Sequence, residues 1–311
     1  MSRQTQKKIL LAVDGSKDAL CAVRYVGKLD PFHKTKVVLF NVFIGIPDSY
    51  RDHDKEPQFA NAIREVRAWE MQKRKSMQEF MDTAKEILIR SGFPQNAVVV
   101  DIHNRKKGIA RDIIQEAKNG YDSVVVGRRG TGKYKEIIVG SIATKIIEKL
   151  TFLPVLIIDE IPLNKKILVA IDSSENAKVA VDYVAKTLGG FDFNVTFLHV
   201  IRGARYFQAE IPDLFLPKAD VESAKKEIHD VFDKAKHCLI DAGFKSNQID
   251  TTLILNAQSR AGSIVYEAKE GDYGTVVLGR RGLSKVQDFF LGSVSNKVIH
   301  TLRNRALWIV A

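Results

Sequence analysis

Val124-Val125-Val126-Gly127-Arg128-Arg129-Gly130, followed nine residues later by Gly140-Ser141, returns as Val276-Val277-Leu278-Gly279-Arg280-Arg281-Gly282 and, after another nine, Gly292-Ser293. Each copy is an apolar run ending in glycine, then a second glycine, then a Gly-Ser pair opening a helical pattern, Ile142–Leu150 or Val294–Leu302. An earlier stretch repeats too. Lys7-Lys8-Ile9-Leu10-Leu11-Ala12-Val13-Asp14-Gly15-Ser16 returns as Lys165-Lys166-Ile167-Leu168-Val169-Ala170-Ile171-Asp172-Ser173-Ser174. The offsets, 152 residues for the loop and 158 for this stretch, follow from those positions. They far exceed the ~20–50 residues of a solenoid unit and suit a duplicated domain. The 311 residues then divide into 1–160 and 161–311, with the boundary in Asp159-Glu160-Ile161-Pro162-Leu163-Asn164.

Outward from the loop, each half alternates short apolar runs with longer helical patterns. The runs are Ile9–Val13, Val37–Phe43, Ala97–Ile102, Ser123–Val126 and Val155–Ile158 in the first half. In the second they are Ile167–Ile171, Val195–Val200, Thr251–Leu255, Thr275–Leu278 and Leu307–Val310. They are rich in Val, Ile and Leu and mostly do not alternate with polar residues, the mark of parallel strands buried on both faces. The clearest helix covers roughly Phe59 to Arg90 and stops at Ser91-Gly92; its counterpart, Ala219 to Ala242, stops at Gly243. Strands alternating with helices predict an α/β, doubly wound domain in each half.

The Gly-x2-Gly-x9-Gly-Ser loop suits a phosphate. Glycines let the backbone approach an anion. Successive N–H groups can form an anion nest. A Gly-Ser pair at a helix start adds a hydroxyl, free donors and the positive end of the dipole. Arg128, Arg129 and Lys133 add charge nearby. Turns and close packing are the other use of such glycines, and the double occurrence favours the phosphate. Gly127-x4-Gly132-Lys133 also begins like a Walker A loop. Tyr134 stands where the magnesium-binding hydroxyl belongs, however, and the second copy lacks the Gly-Lys pair, so the match is accidental. Asp14 and Asp172 end the first strand of each half. They point an acid into the cleft where ligands of such sheets bind, or they cap the helices starting near Ser16 and Ser174.

These features resemble the universal stress protein family in its tandem form, and its ATP-binding subgroup in particular. The resemblance rests on the Lys-Ile-Leu-x-x-x-Asp strand, the duplicated loop and the lengths between them. It implies a five-stranded parallel sheet in order 3-2-1-4-5, which brings Asp14 and Gly127 together where the order reverses. It further implies adenine nucleotide, ATP with or without magnesium, beside Ala12 and Asp14. Val42 would touch adenine, and Val126 and Gly127 would border ribose and phosphates. Arg129, Gly130, Gly140, Ser141 and Ile142 would wrap the phosphates. The matching second-half positions are Ala170, Asp172, Val200, Leu278, Gly279, Arg281, Gly282, Gly292, Ser293 and Val294.

There are departures. Strand 2 of the second half ends Leu198-His199-Val200, a common family form, whereas the first half has the less usual Phe40-Asn41-Val42. A lone His199 reads as structural. Gly108-Ile109-Ala110 and Ala261-Gly262-Ser263 are acceptable variants before a later helix, and Gly45 to Pro57 is a long polar insertion that reads as a loop, with a flap over the cleft as the alternative. The last strands, Leu153–Ile158 and Ala306–Val310, are edges that family members pair to dimerise. The resemblance thus implies pairing of the two domains, with a homodimer of whole chains and an unidentified protein partner left open.

Composition bounds the rest. Net charge is +11, with Lys and Arg exceeding Asp and Glu by 8 in residues 1–160 and by 3 in 161–311. That suits anionic ligands or simple solubility. More basic residues flank the first loop (Arg128, Arg129, Lys133, Lys135) than the second (Arg280, Arg281, Lys285, with Asp288), which favours the first if only one fills. The polar opening residues and the five-residue run Ile9–Val13 predict neither a signal peptide nor a membrane helix. Two isolated cysteines, Cys21 and Cys238, suggest a reducing compartment, the cytoplasm. No Gly-x-Ser-x-Gly elbow, Cys-His arrangement or His-Glu-x-x-His site is present. The expectation is therefore a nucleotide-binding stress-response protein without catalytic residues. A slow ATPase is the alternative, and a nucleic-acid-associated basic protein is a second one, for which no motif speaks.

Overall fold

A computed structural model describes residues 6–46, 60–132, 138–162, 164–202, 218–282 and 291–311, with side chains left out at 60 and 218–224. The chain forms two compact units, Met1–Ile146 and Ile147–Ala311.

The first unit alternates strand and helix: β1 (Lys8–Ala12), α1 (Lys17–Lys28), β2 (Lys36–Phe43), α2 (Ala60–Arg90), β3 (Val98–Asn104), α3 (Ile109–Ala117) and β4 (Ser123–Gly127). Helix α4 (Ser141–Lys149) opens in this unit. The sheet runs β3-β2-β1-β4, and β1 is parallel to both its neighbours. Leu10, Leu11, Val124 and Val125 are fully buried, which is why these strands read as unbroken apolar runs. Covering each such side chain contributes about 1.5–3 kcal/mol.

The second unit holds β5 (Val155–Ile158), β6 (Lys166–Ala170), α5 (Glu175–Leu188), β7 (Asn194–Arg202), α6 (Lys218–Asp241), β8 (Ile249–Ala257), α7 (Arg260–Glu270), β9 (Thr275–Gly279), α8 (Ser293–Thr301) and β10 (Ala306–Val310). Its order is β8-β7-β6-β9-β10, all parallel, the 3-2-1-4-5 order of a doubly wound sheet. Beyond β10 lies β5, antiparallel, with Trp308 opposite Leu156 and Leu307 opposite Ile157. That pairing places β5, the last strand of the first repeat in sequence, in the second unit, so the compact boundary falls within α4. Helix α5 packs on α6, and α7 on α8.

The helix stops lie where the sequence puts them. After α2, Gly92 takes φ +110°, and the Phe93 N–H reaches Leu88 O at 3.1 Å while the Gly92 N–H reaches Ile89 O at 3.0 Å. After α6, Gly243 at φ +98° repeats the pattern: the Phe244 N–H bonds Leu239 O at 3.0 Å. A left-handed residue that turns the chain back on the last carbonyls is the glycine-requiring form of helix stop. The polar stretch Gly45 to Pro57 lies outside the described residues from position 47 onward.

Candidate functional site

Strand order places the site. Connections leave β1 for β2 on one side, and β4 docks on the other side, with Ala12 opposite Val126. The carboxyl ends of β1 and β4 therefore open a crevice, as they do at the reversal point of any open α/β sheet. A cleft of about 890 Å³ lies there. Ala12, Asp14, Val42, Val126, Gly127, Arg129, Gly130, Gly140, Ser141 and Ile142 all line it. Ten residues chosen from four separated stretches thus face one space, of a size suited to a small molecule.

The loop is shaped by its glycines. A Cβ on Gly127 would stand 2.7 Å from the carbonyl carbon of Asp18, so α1 crosses directly over that position. A Cβ on Gly130 would stand 2.5 Å from Asp14 Oδ2. The Gly140 N–H donates to Arg128 O at 2.9 Å and closes the loop on itself.

Asp14 ties these parts together. Its Oδ1 accepts from the Ser16 N–H at 3.0 Å and its Oδ2 from the Thr131 N–H at 3.1 Å. The helix cap is Ser16, whose hydroxyl oxygen accepts from the Ala19 N–H at 3.0 Å. Of the two uses the sequence left open, capping α1 therefore belongs to Ser16. Asp14 spans from the end of β1 to the loop after β4.

The two arginines of each loop do different things. Arg128 is fully buried, and its Nε donates to Ile138 O at 2.9 Å. Arg280 is 3% exposed and reaches the end of α4, donating to Leu150 O at 3.0 Å, to Glu148 O at 2.8 Å and to Ile147 O. Burial, then the neighbouring Arg281, pushes its pKa down to about 10, so it stays charged near neutrality. These first arginines hold structure, a correction to reading both arginines as charge for the phosphate. Arg128 and Arg129 both line the first cleft, but only Arg129 is partly exposed there, and it is engaged: its N–H and its Nε donate to Asp18 Oδ2 at 3.0 and 2.9 Å. Lys133, Lys135, Lys285 and Asp288 lie outside the described residues.

The second copy keeps the backbone and changes the side chains around it. Ala170 lies opposite Leu278. Asp172 Oδ1 accepts from the Ser174 N–H at 3.1 Å, and a Cβ on Gly282 would stand 2.6 Å from Asp172 Oδ2. Gly279 lies under Asn176, whose carbonyl carbon would be 2.9 Å from an added Cβ. The Gly292 N–H closes the loop on Arg280 O at 2.9 Å, and Ser293 and Val294 begin α8. Val200 lies in β7. Asn176, which is neutral, takes the place of Asp18, so Arg281 meets no acid there. Asn41 and His199 correspond as well: Asn41 Nδ2 donates to Val13 O at 2.8 Å, and His199 Nδ1 lies 2.7 Å from Ile171 O. His199 is thereby structural, as the sequence suggested.

Sequence reasoning missed one wall. Trp69, Lys73 and Met77 of α2 line the first cleft, as do Ile109 and Ile113 of α3. The spacing of four along α2 marks one helical face and was the signal available. Lys73 Nζ sits 5.0 Å from the Trp69 ring centre. Asp18, four residues after Asp14, was also missed. Among the described residues no three His, Cys, Asp or Glu side chains cluster to hold a metal, and no helix is long and apolar enough to cross a membrane.

Comparison with known proteins agrees with the geometry. Universal stress protein YxiE of Bacillus subtilis (strain 168) is 28% identical over 138 residues, 43% of this chain and 90% of that protein. A universal stress protein of Mycolicibacterium smegmatis (strain ATCC 700084 / mc(2)155) is 23% identical over 201 residues, 63% of this chain and 64% of that protein. The crystal structure of a universal stress protein from Archaeoglobus fulgidus DSM 4304 superposes with a TM-score of 0.61 at 19% identity, over 97% of both chains, a likeness of fold. The profile of the Universal stress protein family matches residues 5–159 and again 163–304. Matched twice in succession and folded accordingly, the chain belongs to the universal stress protein family as a tandem of two of its domains.

Proposed function

We propose that the chain binds ATP at the Gly-x2-Gly-x9-Gly-Ser loops and that the bound nucleotide governs its stress-response role through domain pairing or partner choice. The observation that carries this reading is the convergence of the ten first-half residues on one 890 Å³ cleft. The residues fit the group. Glycines at 127 and 130 let α1 and the Asp14 carboxylate close onto the loop backbone that lines the cleft, and Gly140 packs against Arg128 and Gly130. Ser141 opens α4 at the cleft, where helix N–H groups and the dipole favour an anion. Asp14 and Asp18 are the carboxylates of this lining, and they would meet magnesium if it accompanies the phosphates. The cleft also offers apolar walls for a base, from Val42, Ile109 and Ile113.

The antiparallel register of β5 with β10 supports a pairing role, because it joins the last strands of the two repeats. Cys21 and Cys238 are both free thiols, which supports a cytoplasmic setting.

The test uses the intact chain. Protein denatured after purification and separated by chromatography is expected to release adenine nucleotide, and ATP added to stripped protein is expected to give calorimetric heat. Trp69 lines the first cleft, and the only other tryptophan, Trp308, is fully buried in the second unit. A change in tryptophan emission therefore reports on the first cleft. No released nucleotide, no heat and no emission change would overturn the reading.

A further inference from the structure

Asn41 is a polar side chain that the phosphate loop does not explain. It is 4% exposed, yet it lines the first cleft. Its Nδ2 donates to Val13 O at 2.8 Å. That carbonyl fixes which way the amide points, since the reverse orientation would set two oxygens against each other. The other end, Oδ1, is buried and has no hydrogen-bond partner among the described residues. Buried acceptors without partners are uncommon and costly. Position 199, the counterpart in the second half, is built on the same plan. With Nδ1 donating to Ile171 O, His199 is left with Nε2 as an acceptor. Both repeats thus use one end of a side chain to hold the carbonyl after the first strand, and keep an acceptor at the other end. The residue type changes from amide to imidazole, and the hydrogen-bonding character does not.

We infer that Asn41 is a specificity-determining residue of the first cleft, whose Oδ1 accepts an N–H from a base that carries an exocyclic amine. The inference rests on the nucleotide reading and adds to it the residue that reads the base. The surroundings suit a flat heterocycle: Val42, Ile109 and Ile113 supply apolar surface. An amine there satisfies Oδ1. A base without that donor leaves Oδ1 buried and unpaired, and a site built around a hydrogen bond rejects the analogue that lacks it.

The experiment titrates the whole protein with ATP and with purine riboside triphosphate, which differs only in lacking the amine, and follows Trp69 emission. The wild type is expected to bind ATP roughly tenfold more tightly. In Asn41→Leu, which keeps the size and removes the acceptor, the ratio is expected to fall toward one, chiefly through weaker ATP binding. Asn41→His keeps a donor to Val13 O and an acceptor, as in the second half, and is expected to retain a preference for ATP. A wild-type ratio near one overturns the inference without recourse to any variant. So does a ratio that Asn41→Leu leaves unchanged, because the discrimination then arises elsewhere. In both of those outcomes ATP still binds and the broader reading stands. Failure of both nucleotides to bind removes that reading and this inference together.

Discussion

The two loops share a backbone and differ in what surrounds it. Both close with a glycine N–H on the first arginine's carbonyl at 2.9 Å, and in both an aspartate from the first strand sits under the second glycine. In the first copy Arg129 is held by Asp18; in the second the corresponding residue is Asn176, and Arg281 meets no carboxylate there. The lesson concerns counting charge. By number of basic residues the first loop looks better supplied. By engagement the second arginine of the second loop has the greater latitude to meet an anion, because no acid at that position competes for it.

This comparison can be broken most forcefully through the closing glycines. At Gly140 an added Cβ would lie 3.4 Å from Arg128 O and from Gly130 N, and at Gly292 it would lie 3.2 Å from Arg281 Cα. A tryptophan at either place fills the space above the loop. Gly140→Trp and Gly292→Trp are each expected to weaken their own site about a hundredfold, or ~2.8 kcal/mol, and to spare the other. Calorimetric stoichiometry should fall from two nucleotides per chain to one in each variant and to none in the double variant. Loss of both sites from a single substitution would show that the loops do not act separately.

A smaller effect separates the arginines. With magnesium left out, Asp18→Asn is expected to release Arg129 and tighten the first site about fivefold at low salt, while Asn176→Asp loosens the second by a similar factor, the scale of a solvent-exposed ion pair. Both differences should shrink as salt rises. Equal response of the two sites to salt in the wild type would remove the distinction drawn between them.

The smallest effect is on pH dependence, and it concerns Asn41 and His199. Burial holds the His199 imidazole below its ordinary range. Arg260 adds to the lowering, while the Ile171 carbonyl, Asp172 and Glu227 oppose it. A histidine kept neutral in the fold but protonated when unfolded leaves stability complete above about pH 6.5 and removes it as the pH falls below that value. Asn41 has no such titration. Denaturant midpoints measured at pH 8 and at mildly acidic pH should therefore diverge in the wild type, and converge in His199→Asn. An unchanged slope in that variant would assign the acid sensitivity to other groups.

Much of this was legible because it is carried by periodicity and by glycine. Runs such as Val124–Val126 are apolar at every position because both faces of the sheet are covered, and Gly92 and Gly243 stop helices in a conformation other residues resist. The loop was legible because its spacing occurs twice. The α2 wall was not, since Trp69, Lys73 and Met77 belong to a helix whose exposed face also carries many charges, and sequence does not say which stripe turns toward a cleft. Nor was the division of labour within Arg-Arg. Adjacent residues leaving a strand point to opposite sides, and only the packed structure buries Arg128 and Arg280 while leaving Arg129 partly exposed. The pairing of β5 with β10 was expected only from the family resemblance, because the two strands lie about 150 residues apart in sequence.

The buried Arg280 bears on how such a loop can hold a ligand at all. Its guanidinium meets the carbonyls of Ile147, Glu148 and Leu150, so the start of the second cradle is fastened to the chain at the end of α4. Swinging that end of the loop aside would strand a cation and three helix-terminal carbonyls. Its conformational entropy is therefore surrendered when the chain folds, and a ligand arriving later need not pay to order it.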